Sequence, residues 1–253
     1  MKILDTIRAS RQRRRSGGPG LGWLFLNAIL TKAARLCLAP ISVKTGNDPY
    51  HVLFRDFIAS VNGLERPRLM EIGSRARSGN IYVQGFAEHV SYVGMDIVPG
   101  PNVDVVGDAH ALSSSFEAES FDALFCISVF EHLGMPWKAV LEMNKVLKPG
   151  GQVFLSTHPL WPLHDRPWDF FRFSTDGLRL LFNRFTGFEI VAACEGLPCR
   201  VLPLGSDASM RGMERNVDCH LGVALWARKV GEPDPRLRWD VGLEEIVKDA
   251  YPG

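Results

Sequence analysis

Residues 69–74 read LMEIGS, an apolar run closed by a glycine where the chain must turn. Runs of the same kind occupy 68–72, 91–97, 103–106, 121–127 and 152–157, and two later ones, 187–194 and 220–229, can complete a sheet. Helix-length segments lie between them, notably 81–89 and 137–147, the second ended by Lys148, Pro149, Gly150 and Gly151. Strand, helix and strand repeated in this order predict an α/β fold: a doubly wound, mostly parallel, seven-stranded sheet with helices on both faces. Residues 195–218 read as an irregular insertion between the last two strands.

Composition agrees with a folded, enzyme-sized domain. The chain has 253 residues, 46% of them hydrophobic and 23% charged, which excludes collagen-like, low-complexity and multi-span membrane classes. Five cysteines (Cys37, Cys126, Cys194, Cys199, Cys219) make an odd number without a close CxxC pair, so reduced thiols and a cytoplasmic location are expected. No metal site is expected. The spacing of Cys194, Cys199, Cys219 and His220 fits ligand knuckles poorly, and although Glu131, His132 and a loop histidine could hold a cation, no spacing demands it.

The net charge of +1 conceals an asymmetry. Residues 1–50 carry nine Lys and Arg against Asp5 and Asp48, leaving 20 basic and 26 acidic residues in the rest. Residues 1–50 thus form a basic extension ahead of a mildly acidic domain, 51–253. After RQRRRSGGPG (11–20) the chain turns apolar, and at helical spacing Trp23, Leu26, Ile29, Leu30, Ala33 and Cys37 share one face. An amphipathic helix follows, which packs on the domain or, through residues 8–39, docks peripherally on an anionic membrane. Export is disfavoured because Lys32 and Arg35 follow the apolar stretch without a small-x-small cleavage site. Duplex nucleic acid is disfavoured because the basic excess is not on the folded body.

In a doubly wound sheet, ligands bind at the carboxyl ends of the strands where strand order reverses. Those ends carry Glu71, Gly73 and Ser74; Asp96 and Ile97; Asp108 and Ala109; then Ser128, Glu131 and His132. Carboxylates there suit ribose hydroxyls and an exocyclic amine, and Asp96 stands 25 residues after Glu71, near the ribose-binding offset. A GxGxxG turn is missing after the first strand, which argues against a nicotinamide dehydrogenase.

The ordered set LMEIGS (69–74), YVGMDI (92–97), VVGDAHAL (105–112), FDALFCISVFEHL (121–133) and LKPGGQVFLST (147–157) resembles class I S-adenosylmethionine-dependent methyltransferases, most closely their type 11 branch. The resemblance implies a Rossmann-like fold, S-adenosylmethionine as cofactor and S-adenosylhomocysteine as product. Glu71, Gly73 and Ser74 would form the cofactor loop, Asp96 with Ile97 would meet the ribose, Asp108 and Ala109 the adenine, and Ser128 the methionine side. The family loop runs acidic-x-Gly-x-Gly-x-Gly, whereas Arg75 and Arg77 stand at the second and third glycine positions here.

Acceptor chemistry is read from 157–174, THPLWPLHDRPWDFFRFS. Its prolines favour an ordered loop, and its aromatic faces beside acids and an arginine suit a hydroxyl-rich ring. His158, Trp161, Trp168 and Arg172 are the substrate-binding candidates. His164 is the candidate general base, oriented by Asp165 or Asp169, with His132 as rival, because a hydroxyl acceptor must lose its proton. The expected reaction is O-methylation of a small molecule or saccharide. Two alternatives stay open: a methyltransferase-fold binding protein without turnover, suggested by Arg75 and Arg77, and an RNA methyltransferase that clamps phosphates with Arg11 to Arg15.

Overall fold

The computed structural model describes residues 45–76, 79, 81–201 and 219–237, with eight scattered positions between 22 and 33. The contacts divide the chain into one unit up to Val43 and a second from Lys44 onward. In the first unit the described positions are helical and exposed, among them Phe25, Leu26, Ile29 and Leu30. Trp23 and Cys37 of the expected amphipathic face, and the basic stretch 8–15, lie outside the described residues.

The second unit is built on one seven-stranded sheet. In chain order its strands are β1 (Arg68–Ile72), β2 (Ser91–Asp96), β3 (Val105–Val106), β4 (Phe121–Ile127), β5 (Leu147–Thr157), β6 (Phe188–Cys199) and β7 (Cys219–Lys229). Their spatial order is β3-β2-β1-β4-β5-β7-β6. All neighbouring pairs from β3 to β5 are parallel, and β7 runs antiparallel to both β5 and β6. The mostly parallel, doubly wound sheet is therefore present, and its order reverses between β1 and β4, which opens the crevice between their carboxyl ends.

Among the described residues three helices flank it: α1 (Pro49–Asn62), α2 (Pro136–Val146) and α3 (Thr175–Leu181). Pro49 and Pro136 each open a helix where a missing N–H matters least. Asp48 caps α1, accepting from the Tyr50 N–H at 3.1 Å while its other oxygen accepts from Leu197 N–H at 2.8 Å, so the cap also ties the helix to β6.

Alternation along the strands sorts the core into two layers. Met70, Ile72, Leu124, Cys126, Val153 and Leu155 face the layer closed by α2 and α3. Leu69, Ala123, Phe125 and Phe154 face α1, whose buried stripe is Leu53, Phe57 and Val61. Aromatic rings fill this second layer, with Phe54 4.8 Å from Phe154 and Phe86 5.5 Å from Phe125 between centroids.

Several local expectations are corrected. Segment 81–89 is not a full helix but a single 3₁₀ turn, Tyr82–Gly85, because Gly85 breaks it and Phe86 turns extended to reach the core. The third strand shrinks to two residues, since the Asp104 carboxylate accepts from Gly94 N–H at 2.8 Å where a ladder bond would continue. β5 starts five residues earlier than the expected 152, at Leu147. β6 runs through Cys199, so the insertion does not begin at 195, and 202–218 lie outside the described residues. A domain start at residue 51 would cut α1, which Asp48 caps.

Candidate active site

At the end of β1 the chain turns through Gly73, whose φ of +83° belongs to the left-handed region and whose missing Cβ would lie 2.2 Å from Val129 Cγ2. A side chain is excluded there on both grounds. Gly73 and Ser74 donate their N–H groups to Met95 O at 2.8 and 3.0 Å, which locks the turn onto β2. Glu71 is buried behind it. Tyr92 donates its hydroxyl to Glu71 Oε2 at 2.5 Å, and Asn102 Nδ2 reaches Tyr92 Oη at 2.8 Å and Ser74 O at 3.0 Å. Burial raises the Glu71 carboxyl to about 7, well above its usual range, and the bonds from Tyr92 and Asn102 only partly offset this. Glu71 therefore supports the turn from below.

Asp96 ends β2 facing the same turn. Its oxygens accept from Val98 N–H at 3.0 Å and Arg75 N–H at 3.3 Å, and Arg75 Nε lies 3.8 Å away. The stem of Arg75 lies over Gly100, where any Cβ would meet its Cγ and Cδ at 2.8 Å. Arginine at a glycine position thus leans across the loop onto the carboxylate. Ile97 beside it is 65% exposed, an apolar surface that a flat ring could cover. Ser74 Oγ is buried and makes no hydrogen bond. Asp108 caps the 3₁₀ turn Ala109–Ser114, accepting from His110 N–H at 2.9 Å and from His110 Nδ1 at 2.7 Å, and Ala109 is buried beside it. A glycine turn that excludes a Cβ, a carboxylate with free lone pairs, an exposed apolar face and an unsatisfied hydroxyl fit an adenosyl cofactor. Arg77 lies outside the described residues.

The ends of β4 and β5 hold the titratable cluster. Ser128 adopts φ +54° and donates its hydroxyl to His158 Nε2 at 3.1 Å. Glu131 is fully buried. Its Oε2 accepts from Thr157 Oγ1 at 2.7 Å, and its backbone carbonyl accepts from Phe170 and Phe171 N–H at 2.8 and 3.1 Å. His132 and His164 face each other with ring centroids 4.8 Å apart. His158 stacks on Trp161 at 4.5 Å.

The loop 158–174 is ordered by Arg172, which resolves two sequence expectations. Its guanidinium donates to Asp169 Oδ1 and Oδ2 at 2.5 and 2.9 Å, to Phe171 O at 2.7 Å, and to Trp161 O and Pro162 O at 3.2 Å. All five N–H donors are engaged, so Arg172 is a brace and has none left for a substrate. Asp169 is paired with Arg172, which holds its carboxyl far below the usual range. It reaches His164 chiefly through the backbone N–H at 2.8 Å, with Nδ1 at 3.4 Å. Trp161 and Trp168 stay exposed on the same loop. Asp165 points its backbone carbonyl at Trp168 N–H (3.0 Å).

Asn102 and Tyr92, which carry Glu71, were not singled out from the sequence. The only signal was the Pro-Gly-Pro-Asn turn at 99–102, which reads as a plain connection.

Residues 77–155 match a family described as "Methyltransferase domain". Among solved structures, a SAM dependent methyltransferase from Archaeoglobus fulgidus superposes with TM-score 0.53 at 16% identity, over 70% of this chain and 92% of that one. A Bacillus halodurans C-125 protein assigned to the methyltransferases superposes with TM-score 0.51 at 16% identity, over 70% of this chain and 99% of that one. At such identities the likeness establishes the fold. No curated protein sequence matches the chain.

Proposed function

We propose, from the premise that this chain carries a methyltransferase domain of the type 11 branch, that it methylates a hydroxyl oxygen of a small molecule or saccharide. S-adenosylmethionine supplies the methyl group on a sulfonium and leaves as S-adenosylhomocysteine. Glu71, Gly73, Ser74, Asp96, Ile97, Asp108, Ala109 and Ser128 would hold it along the ends of β1 to β4.

The observation that carries the oxygen acceptor is the imidazole pair His132 and His164. Each places Nδ1 against a backbone carbonyl, Trp168 O for His132 and Pro162 O at 3.1 Å for His164. A carbonyl only accepts, so in the neutral imidazole the ring proton sits on Nδ1 and Nε2 keeps its lone pair. Such a nitrogen can take a proton from an acceptor hydroxyl, with His164 as base and His132 as rival. Trp161 and Trp168 offer exposed faces for the apolar side of a sugar ring.

Calorimetric titration with S-adenosylhomocysteine, with Asp96→Ala as control, tests the cofactor half. Micromolar binding weakened about a hundredfold in the variant is expected, for the loss of charge-assisted hydrogen bonds. Labelled methyl transfer to nucleotide sugars and glycans tests the acceptor half. Binding without transfer to any acceptor favours the binding-protein reading. Transfer to RNA that is lost on removing residues 1–18 favours the RNA reading.

A second reading concerns the basic front. The exposed Phe25, Leu26, Ile29 and Leu30, with the positive excess of residues 1–50, support contact with an anionic bilayer surface. No helix among the described residues is long and apolar enough to cross a membrane. Co-sedimentation with phosphatidylserine vesicles, lost in high salt and with phosphatidylcholine alone, is the expected result. Equal sedimentation with both lipids, or none, defeats it.

A further inference from the structure

We propose that Glu131, His132 and His164 form a binding site for a divalent transition-metal cation. One ligand atom from each lies within 4.8 Å of the others. Two features set the group apart from an ordinary polar cluster.

The first is an unsatisfied carboxylate oxygen. Glu131 is fully buried, and while Oε2 is satisfied by Thr157, Oε1 accepts no hydrogen bond. Two histidine nitrogens lie near it, His158 Nε2 at 3.4 Å and His132 Nε2 at 4.0 Å. A buried carboxylate oxygen facing imidazoles that send it no hydrogen bond is unfavourable, and a cation between them would satisfy it.

The second is the way every ring is held. His132 Nδ1 meets Trp168 O, His164 Nδ1 meets Pro162 O at 3.1 Å, and His158 Nδ1 meets Leu221 O at 3.1 Å. In the neutral ring each acceptor fixes the proton on Nδ1 and leaves Nε2 as a lone-pair donor. This is the outer-shell arrangement that orients metal-ligating histidines. Three acceptors, two from the loop 158–174 and one from β7, impose the same tautomer around one carboxylate. His158 Nε2 already receives the Ser128 hydroxyl, so it borders the set without belonging to it.

Two imidazoles and one carboxylate are a donor set for zinc, cobalt, iron or manganese; magnesium prefers oxygen and water. Closing on a cation at about 2.0–2.2 Å requires the ligand atoms to draw together by about 1 Å, within reach of side-chain rotation. Three protein ligands leave at least one position open. With the cation bound, the Nε2 lone pairs of His132 and His164 are occupied, so in that form neither histidine is the base; the open position would instead take the acceptor hydroxyl and ease its deprotonation, a use that rests on the O-methylation reading. Cation binding itself does not.

The test uses the full-length chain without a histidine tag, stripped with chelator and titrated with Co²⁺. One equivalent is expected, with a visible d–d band, no thiolate charge-transfer band, and displacement by Zn²⁺. His132→Ala and His164→Ala should each weaken binding at least tenfold, the lower range for disturbing a metal site. Both residues are partly exposed, and unchanged circular dichroism will show that the variants fold. No saturable binding, or equal binding in wild type and both variants, overturns the proposal. S-adenosylhomocysteine titration of the same stripped protein keeps the two readings apart. Cofactor binding without Co²⁺ binding defeats only the metal site, and Co²⁺ binding without methyl transfer defeats only the reaction.

Discussion

At the ends of β1 and β2 the chain is positioned by its backbone, with Gly73 and Ser74 donating to Met95 O and Asp96 accepting from two loop N–H groups. At the ends of β4 and β5 it is positioned by side chains: Glu131, Thr157, His158 and the Arg172–Asp169 pair. The first region depends on what the turn can accommodate, because a backbone site tolerates few residues at its tightest point. The second depends on donors and acceptors meeting from distant segments. A cofactor common to many acceptors suits the first, and an acceptor particular to one enzyme suits the second.

The sharpest way to separate them is Arg172→Ala. Removing the brace of the loop should lower methyl transfer by about two orders of magnitude, the scale of lost positioning. S-adenosylhomocysteine affinity should stay within twofold, about the noise of titration. Equal loss of both would show that the two regions fold as one. Gly73→Ala should destabilise the fold by about 3 kcal/mol through the left-handed backbone and the Val129 contact, read as a lower denaturant midpoint. A change under about 0.5 kcal/mol would mean that the turn relaxes freely.

Glu71 provides a pH test. Its carboxyl is raised from 4.5 to about 7, so the folded state holds its proton more tightly than the unfolded state. The associated stability is fully present below pH 4.5 and is lost as pH rises through 7. Glu71→Gln removes this titration. Relative to wild type it should gain about 2 kcal/mol between pH 5 and pH 8, after discounting for incomplete burial. Parallel stability curves for the two proteins would rule this out. The smallest effect belongs to Arg75→Ala, which frees Asp96 from a partly screened charge and should tighten cofactor binding about fivefold. Weaker binding would show instead that Arg75 helps to hold the cofactor.

Much of this was legible in the linear chain. Apolar runs closed by Gly73, Asp96 and Asp108 announced parallel strands with polar carboxyl ends, because burial on both faces demands continuous apolar runs and leaves polar groups only where strands emerge. The 3₁₀ turn at 82–85 was not legible, since Phe86 leaves helical geometry to reach a core shared with Phe125 and Phe154. The role of Arg172 was misread for a related reason. An arginine among aromatics looks like a ligand contact until its five donors are traced to partners inside its own loop.

By itself the sequence determined the strand order along the chain, the glycine turn and the acids at the strand ends, because these are local in the chain and follow from periodicity and backbone sterics. Only the tertiary structure decided that Glu131 Oε1 has no hydrogen bond and that His132, His158 and His164 all present Nε2. Those facts arise where Trp168, Pro162 and Leu221 lend their carbonyls. Which carbonyl meets which ring is set by how the sheet and its loop close in space, a relation that no spacing along the chain contains.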